Sequence, residues 1–251
     1  MKKTLFILLQ ALLMLCSTVR AESSYVTIGD GTYSTDLYGY GTGYYSTTQT
    51  IYTAEEIGQA GYITALAYNV ATASAKRTTK LEIYLGLTSK NVFENAEDGL
   101  SADELTLVYS GNPTLGNYTG WMDHIFQTKF SFDGTSNLVV VICRESTAIA
   151  SPNCYYSFGT GNKNLYRYDY SSQNYSDIEN LDGYNTSSGR QNTRFKIELY
   201  PTITVNNIKY TVTSEENKIV SVDEGIEIAG TDGYALVGKV LIEIVVGLAL
   251  H

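Results

Sequence analysis

The sequence predicts an all-β protein, an antiparallel two-sheet β-sandwich, followed by a small β-hairpin piece. Three observations predict it. From Ser24 onward no stretch of about 12 residues keeps a helical period, short runs rich in Val, Ile, Thr, Tyr and Phe recur, and Gly, Asn, Asp and Ser clusters separate those runs. Eight such runs between turns suit two packed antiparallel sheets.

In chain order the runs are residues 49–52, 62–70, 80–87, 105–109, 121–128, 138–144, 154–158 and 193–200. In the third, Leu81, Ile83 and Leu85 alternate with Glu82, Tyr84 and Gly86, so one face is buried and the other wet. In the fifth, Met122, His124 and Phe126 fall on one side as an apolar row. The sixth opens with five apolar residues in succession, Leu138 to Ile142, which implies a central strand covered on both faces. Two short helical turns interrupt the strands. Thr53 precedes Glu56 by three residues and Ser101 precedes Glu104 likewise, the spacing of a capping box, and Gly58 suits the C-cap of the first turn. Residues 112–120 and 159–190, rich in Gly, Asn, Ser and Tyr, read as long loops.

The ends of the chain differ from its body. Lys2 and Lys3 stand before the apolar run 5–15, and Val19-Arg20-Ala21 places small residues at −3 and −1 of a signal-peptidase site, so residues 1–21 read as a signal peptide cleaved near Ala21. The apolar run is about half the ~20 residues that span a bilayer. Residues 22–200 then form the sandwich module. Residues 201–235 carry short runs at 203–205, 209–212 and 219–222, joined by Asn206-Asn207 and Glu215-Glu216-Asn217, and read as the hairpin start of a second, apparently truncated domain. Residues 236–251 form an apolar tail broken by Lys239 and Glu243, open between a membrane-associated segment and a truncated or frame-shifted end.

Composition narrows the chemistry. The formal charge is −9, and loss of Lys2, Lys3 and Arg20 with the leader leaves 14 basic against 26 acidic residues, a net of −12. That disfavours nucleic acid as a partner, because phosphate contacts need a basic face. Only His124 and His251 can supply imidazole, and His124 lies in the apolar row, where a core histidine is expected. His/Cys metal sites and Ser-His or Cys-His nucleophiles therefore lack components. Calcium is the cofactor left open, with Asp30 in Gly29-Asp30-Gly31-Thr32 and Asp133 in Asp133-Gly134-Thr135-Ser136 as candidate ligands, although turns explain both segments. After the leader, Cys143 and Cys154 remain, and they read either as a disulfide or as two free core thiols. Asn117, Asn174 and Asn185 head triplets of the glycosylation-acceptor type.

Several segments, taken in order, carry a resemblance. QTIYTAEEIG from Gln49, GYITALAYNV from Gly61, LEIYLG from Leu81, LVYSG from Leu107, Gly120-Trp121, FSFDGTSNLVVVI from Phe130 and RFKI from Arg194 resemble the secreted cleaved-adhesin or jelly-roll-like module of Bacteroidota surface proteins. The segment from Ile203 to Val222 resembles the strands that lead into leucine-rich repeats in such proteins, yet no L-x-x-L-x-L repeat follows. The resemblance implies a secreted adhesion module and speaks to fold more than to ligand.

The composition is most unusual in tyrosine. The chain has 22 Tyr against 7 Phe and 1 Trp, and they cluster in segments read as loops. Tyr44, Tyr45, Tyr155, Tyr156, Tyr166, Tyr168 and Tyr170 are the candidate ligand-binding residues. A ring with a polar tip gives contact area at low entropic cost, and Tyr with Ser, Gly and Asn is the composition of adaptable recognition loops. The expected function is non-catalytic binding of extracellular glycan or a host or matrix protein, with no catalytic residues. The alternatives are an accessory module of a secreted hydrolase, a glycosidase in its own right, and a structural spacer.

Overall fold

A computed structural model describes residues 23–36, 44–73, 76–146, 153–171, 176–178, 183–200, 202–205, 208–213, 218–222, 234–237 and 240–243. The expected signal peptide, residues 1–21, lies outside them, as do Tyr38, Tyr40, Tyr175 and Asn174. The chain divides into two units, Ser23–Glu198 and the part from Leu199 onward together with Met1–Glu22.

The first unit is the sandwich. Its strands are β1 (Ser23–Ile28), β2 (Tyr33–Asp36), β3 (Tyr45–Tyr52), β4 (Gly61–Thr72), β5 (Lys76–Thr88), β6 (Thr106–Gly111), β7 (Thr114–Leu115), β8 (Gly120–Phe132), β9 (Asn137–Ser146), β10 (Asn153–Phe158), β11 (Asn164–Asp169), β12 (Asn185–Ser187), β13 (Gly189–Gln191) and β14 (Thr193–Glu198). All pairings are antiparallel. In sheet A, β4 carries β8 on one edge and β14 followed by β10 on the other; β1 and β2 lie beyond β14 and β10. Sheet B runs β12-β11-β3-β9-β5-β6, with β7 on the start of β5.

All eight expected strands are present. Six more are found, and three of them, β11, β12 and β13, run through the segment read as a loop at 159–190. The reason is visible in β11: Leu165 and Arg167 are buried on the face of sheet B that turns away from sheet A, so that face is covered where polar solvent exposure was expected.

The core between the sheets gathers Tyr52 of β3, Leu66, Tyr68 and Val70 of β4, Leu81, Ile83 and Leu85 of β5, Leu138, Val140 and Ile142 of β9, and Phe195 and Ile197 of β14. Tyr52 crosses it, its hydroxyl 2.7 Å from that of Thr193 and its ring edge-on to Phe195 at 5.0 Å. The other parity of β9, Val139, Val141 and Cys143, packs with Ile51, Phe93, Leu100, Leu165 and Tyr184 into a second cluster on the outer face of sheet B. The continuous apolar run of β9 thus has an apolar cluster on each side.

The expected helical turns form. Helix α1 (Ala54–Ile57) has Thr53 and Glu56 as a capping box, with the Thr53 N–H donating to Glu56 Oε2 at 2.8 Å, and it ends at Gly58 with φ of 72°. The Ser101 N–H donates to Glu104 Oε2 at 2.9 Å around the 3-10 turn Ala102–Glu104.

The second unit, in its described residues, holds a three-stranded antiparallel sheet, β15 (Thr202–Val205), β16 (Ile208–Thr213) and β17 (Lys218–Val222). It also holds a hairpin of β18 (Tyr234–Val237) and β19 (Val240–Glu243), so the expected tail at 236–251 begins within paired strands. Among the described residues no helix is long and apolar enough to cross a membrane.

Candidate functional site

Backbone register sorts the seven candidate tyrosines into two places. At one end of sheet B, Tyr45 opens β3 opposite Glu145 of β9 and Asp169 of β11, and the Tyr44 N–H donates to the Asp169 carbonyl at 2.9 Å. This brings Tyr44 beside the end of β11. The Tyr44 and Tyr170 rings meet edge-on with centroids 6.2 Å apart, and Tyr168 and Tyr170 do so at 6.3 Å. Tyr168 and Tyr170 remain 41% and 50% exposed, so the rings brace one another without being covered. Asp169 Oδ1 accepts from the Ser171 N–H at 2.6 Å, fixing the turn that carries Tyr170. Tyr166 is half-buried one strand step further in, opposite Thr48.

Tyr155 and Tyr156 lie elsewhere, on β10 of sheet A. Tyr156 packs its ring over Gly189, where a Cβ would clash with a ring carbon, and meets Phe158 edge-on at 4.6 Å. Phe158 in turn meets Tyr33 at 6.1 Å, and both are largely exposed. Tyr33 and Phe158 belong to this aromatic row, which the loop composition alone did not assemble.

The metal and sulfur candidates resolve differently. Asp133 is consumed by its own turn: its carboxylate accepts from the N–H groups of Thr135 and Ser136, both at 2.7 Å, and from the Ser136 hydroxyl at 2.7 Å. These bonds hold its pKa below the usual carboxylate value against the opposing effect of partial burial. Asp30 is exposed in the joint between β1 and β2, where the Gly31 N–H donates to Ser157 Oγ and Asn192 Nδ2 donates to the Gly31 carbonyl, both at 2.8 Å. Among the described residues no group of three or more His, Cys, Asp or Glu side chains converges.

The disulfide reading is corrected: Cys143 and Cys154 are free. Cys143 faces the outer cluster of sheet B, and Cys154 faces the core between the sheets, so the backbone of sheet B separates them. Burial pushes both thiols up to about 12. His124 is buried with its ring edge-on to Tyr109 at 5.4 Å, and burial lowers its pKa to about 4. The groups most able to act as nucleophile or base are thus held neutral inside the protein.

Another set of residues escaped the sequence reading. On the outer face of sheet A, the Arg194 guanidinium lies 4.6 Å from the Tyr25 ring centroid and 4.9 Å from that of Trp121, and it donates to both Asp123 oxygens at 3.0 and 3.2 Å. Its signal was the parity of β8. If Met122, His124 and Phe126 face the core, then Trp121, Asp123 and Ile125 face out.

No protein-family model matches the chain, and no curated protein matches it. Among solved structures it is similar to the clostridial cysteine protease Cwp84 in a form obtained after propeptide cleavage, with 10% identity and a TM-score of 0.41 over 70% of this chain and 40% of that one. The match spans about two fifths of that protein's chain, and the assignment to an all-β sandwich rests on the two sheets described above.

Proposed function

We propose that this chain is an exported, non-catalytic binding module that recognises extracellular glycan or protein through the tyrosine-bearing end of sheet B. The observation that carries the proposal is the braced set Tyr44, Tyr168 and Tyr170, three rings in edge-on contact with two of them open to solvent. Rings held by strand register and by each other lose little entropy on binding, and their hydroxyls can meet polar ligand groups. Burial of His124, Cys143 and Cys154 supports a binding role over a catalytic one. The resemblance to secreted modules of Bacteroidota surface proteins, and the leader-like first 21 residues, support the extracellular setting.

The test is binding of the purified chain to an array of polysaccharides, mucins and matrix proteins, with and without calcium. The expected result is retention on one class that falls at least tenfold in the double variant Tyr168→Ala, Tyr170→Ala. A folded protein that binds nothing, or binding that the double variant leaves intact, overturns the proposal.

A further inference from the structure

We infer that the outer face of sheet A is a separate binding groove for an acidic polysaccharide, a glycan chain carrying carboxylate or sulfate groups. The groove encloses about 570 Å³ and lies across β8, β4, β14 and β1. Its floor is low along β4, which places Ala65 there, with Ala67 in the neighbouring row, between long side chains on either side. In one row Ile125, Ala65, Lys196 and Tyr25 stand side by side, and in the next Asp123, Ala67, Arg194 and Thr27. The small residue of each row lies on β4, between Ile125 or Asp123 on β8 and Lys196 or Arg194 on β14, so the face dips along β4.

The lining fits a sugar chain with anionic groups. Ile125 is 75% exposed and Tyr25 is also mostly exposed, which is unusual for large side chains on a well-ordered sheet and offers apolar surface to the C–H faces of sugar rings. Asp123 is matched by Arg194, whose guanidinium the rings of Tyr25 and Trp121 hold in place. The groove itself is lined by Lys129 and Lys196 against Asp123 and Glu198, and Arg194 at its border brings the face to three cations against two carboxylates; Lys129 Nζ lies 4.1 Å from the Tyr62 ring centroid, and neither lysine makes an ion pair among the described residues. A chain of formal charge −9 thus carries a local balance of +1 on this face, with two lysines outside any ion pair beside exposed apolar side chains. That combination complements an anionic polymer with apolar ring faces, whereas a neutral glycan has no use for the lysines.

The experiment uses the full chain and affinity electrophoresis in gels containing polygalacturonate or chondroitin sulfate, with dextran as the neutral control. Retardation is expected in at least one acidic gel and not in dextran, weakening as salt rises from about 50 to about 300 mM. Lys196→Glu, a solvent-facing charge reversal that leaves the core intact, is expected to reduce apparent affinity at least tenfold, and Trp121→Ala to reduce it similarly. Tyr168→Ala, Tyr170→Ala is expected to leave it unchanged, so this groove and the tyrosine end of sheet B succeed or fail independently. Absence of retardation in both acidic gels, equal retardation in dextran, or a Lys196→Glu effect below twofold overturns the inference. So does a sedimentation result in which Ile125→Asp converts a dimer to a monomer, because the face is then a contact between copies of the chain.

Discussion

Glu56 is expected to be the strongest single electrostatic contributor to the stability of the sandwich, and Glu56→Gln tests this. Its Oε1 accepts from Arg190 Nη2 at 2.5 Å, and its Oε2 accepts from Arg190 Nη1 at 3.1 Å, Lys163 Nζ at 3.3 Å and the Thr53 N–H at 2.8 Å. Partial burial pushes the carboxyl pKa up, but the Arg190 and Thr53 bonds and the two cations outweigh it and bring the value from 4.5 down to about 2. At about 1.4 kcal/mol per unit the ceiling is roughly 3 kcal/mol. The side chain is 26% exposed, so solvent screening reduces that to about 1–2 kcal/mol. The sign follows from the depressed folded-state value: the contribution is complete above the unfolded pKa and is lost as pH falls from about 4.5 towards 2. Glu56→Gln should therefore lower the melting temperature at pH 7 by about 2–8 °C. The gap from the parent should close as pH approaches 2. Thermal melts followed by Trp121 fluorescence at pH 7, 4 and 2.5 make the measurement. A variant within 1 °C of the parent at pH 7, or a gap that stays constant from pH 7 to 2.5, would refute the reasoning.

Other outcomes follow from the same contacts. Gln49→Ala removes both hydrogen bonds that tie β3 to the backbone of Leu100, at 2.8 and 3.0 Å, and strands a buried N–H and carbonyl. A loss of about 2–4 kcal/mol is expected, with faster amide exchange at Leu100 as its local signature. Ile142→Ala opens a cavity between the sheets and should cost about 2–5 kcal/mol, while Val141→Ala, on the opposite face of the same strand, should cost about 1–3 kcal/mol. A harmless Val141→Ala in a chemical melt would mean that the outer cluster of sheet B contributes nothing. Cys143 and Cys154, with thiol pKa values raised to about 12, should resist iodoacetamide at pH 8 in the native protein and react fully in urea, as peptide mapping would show.

Much of the sandwich was legible because local pattern and tertiary role agree in it. Alternation at Leu81, Ile83 and Leu85 and the unbroken run from Leu138 to Ile142 each specify which faces are covered, and the structure covers them so. Capping-box spacing is local chemistry and was readable at Thr53 and Ser101. What escaped is non-local. The segment at 159–190 has turn-rich composition, and its strand β11 is stabilised by β3, more than 100 residues away, together with a buried Arg167 whose guanidinium lies 4.6 Å from the Tyr184 ring. Composition scored those residues as polar loop; burial under the outer cluster made them sheet. Tyr44, Tyr168 and Tyr170 were named from composition, yet only register shows that they meet, and that Tyr155 and Tyr156 do not join them. The Tyr25, Trp121 and Arg194 arrangement needs three strands at once, so no single segment announces it.

The two sheets use their outer faces in opposite ways, and this asymmetry bears on function. A sandwich needs only its inner faces for a core. Sheet B nevertheless has its outer face covered by Phe93, Leu100, Leu105, Ile178 and Tyr184, which come from the connections flanking β5 and β11. The long connections therefore add a third layer to sheet B and leave the outer face of sheet A open. If that open face served stability alone, alternating Thr, Ser, Lys and Glu would suffice, and an exposed Ile125 and Tyr25 would only raise the tendency to aggregate. Retaining Ile125, Tyr25 and Trp121 there, around an arginine held by Asp123, makes sense where another molecule takes up the apolar surface. The residues concerned sit on four hydrogen-bonded strands, so their geometry is fixed before a ligand arrives. The tyrosine end of sheet B is likewise set in advance, Tyr168 by its place on β11 and Tyr170 by the turn that the Asp169–Ser171 hydrogen bond fixes. Two surfaces set in advance on different parts of one scaffold suit a module that meets two ligand groups separately, which is why variants at one are expected to leave binding at the other unchanged.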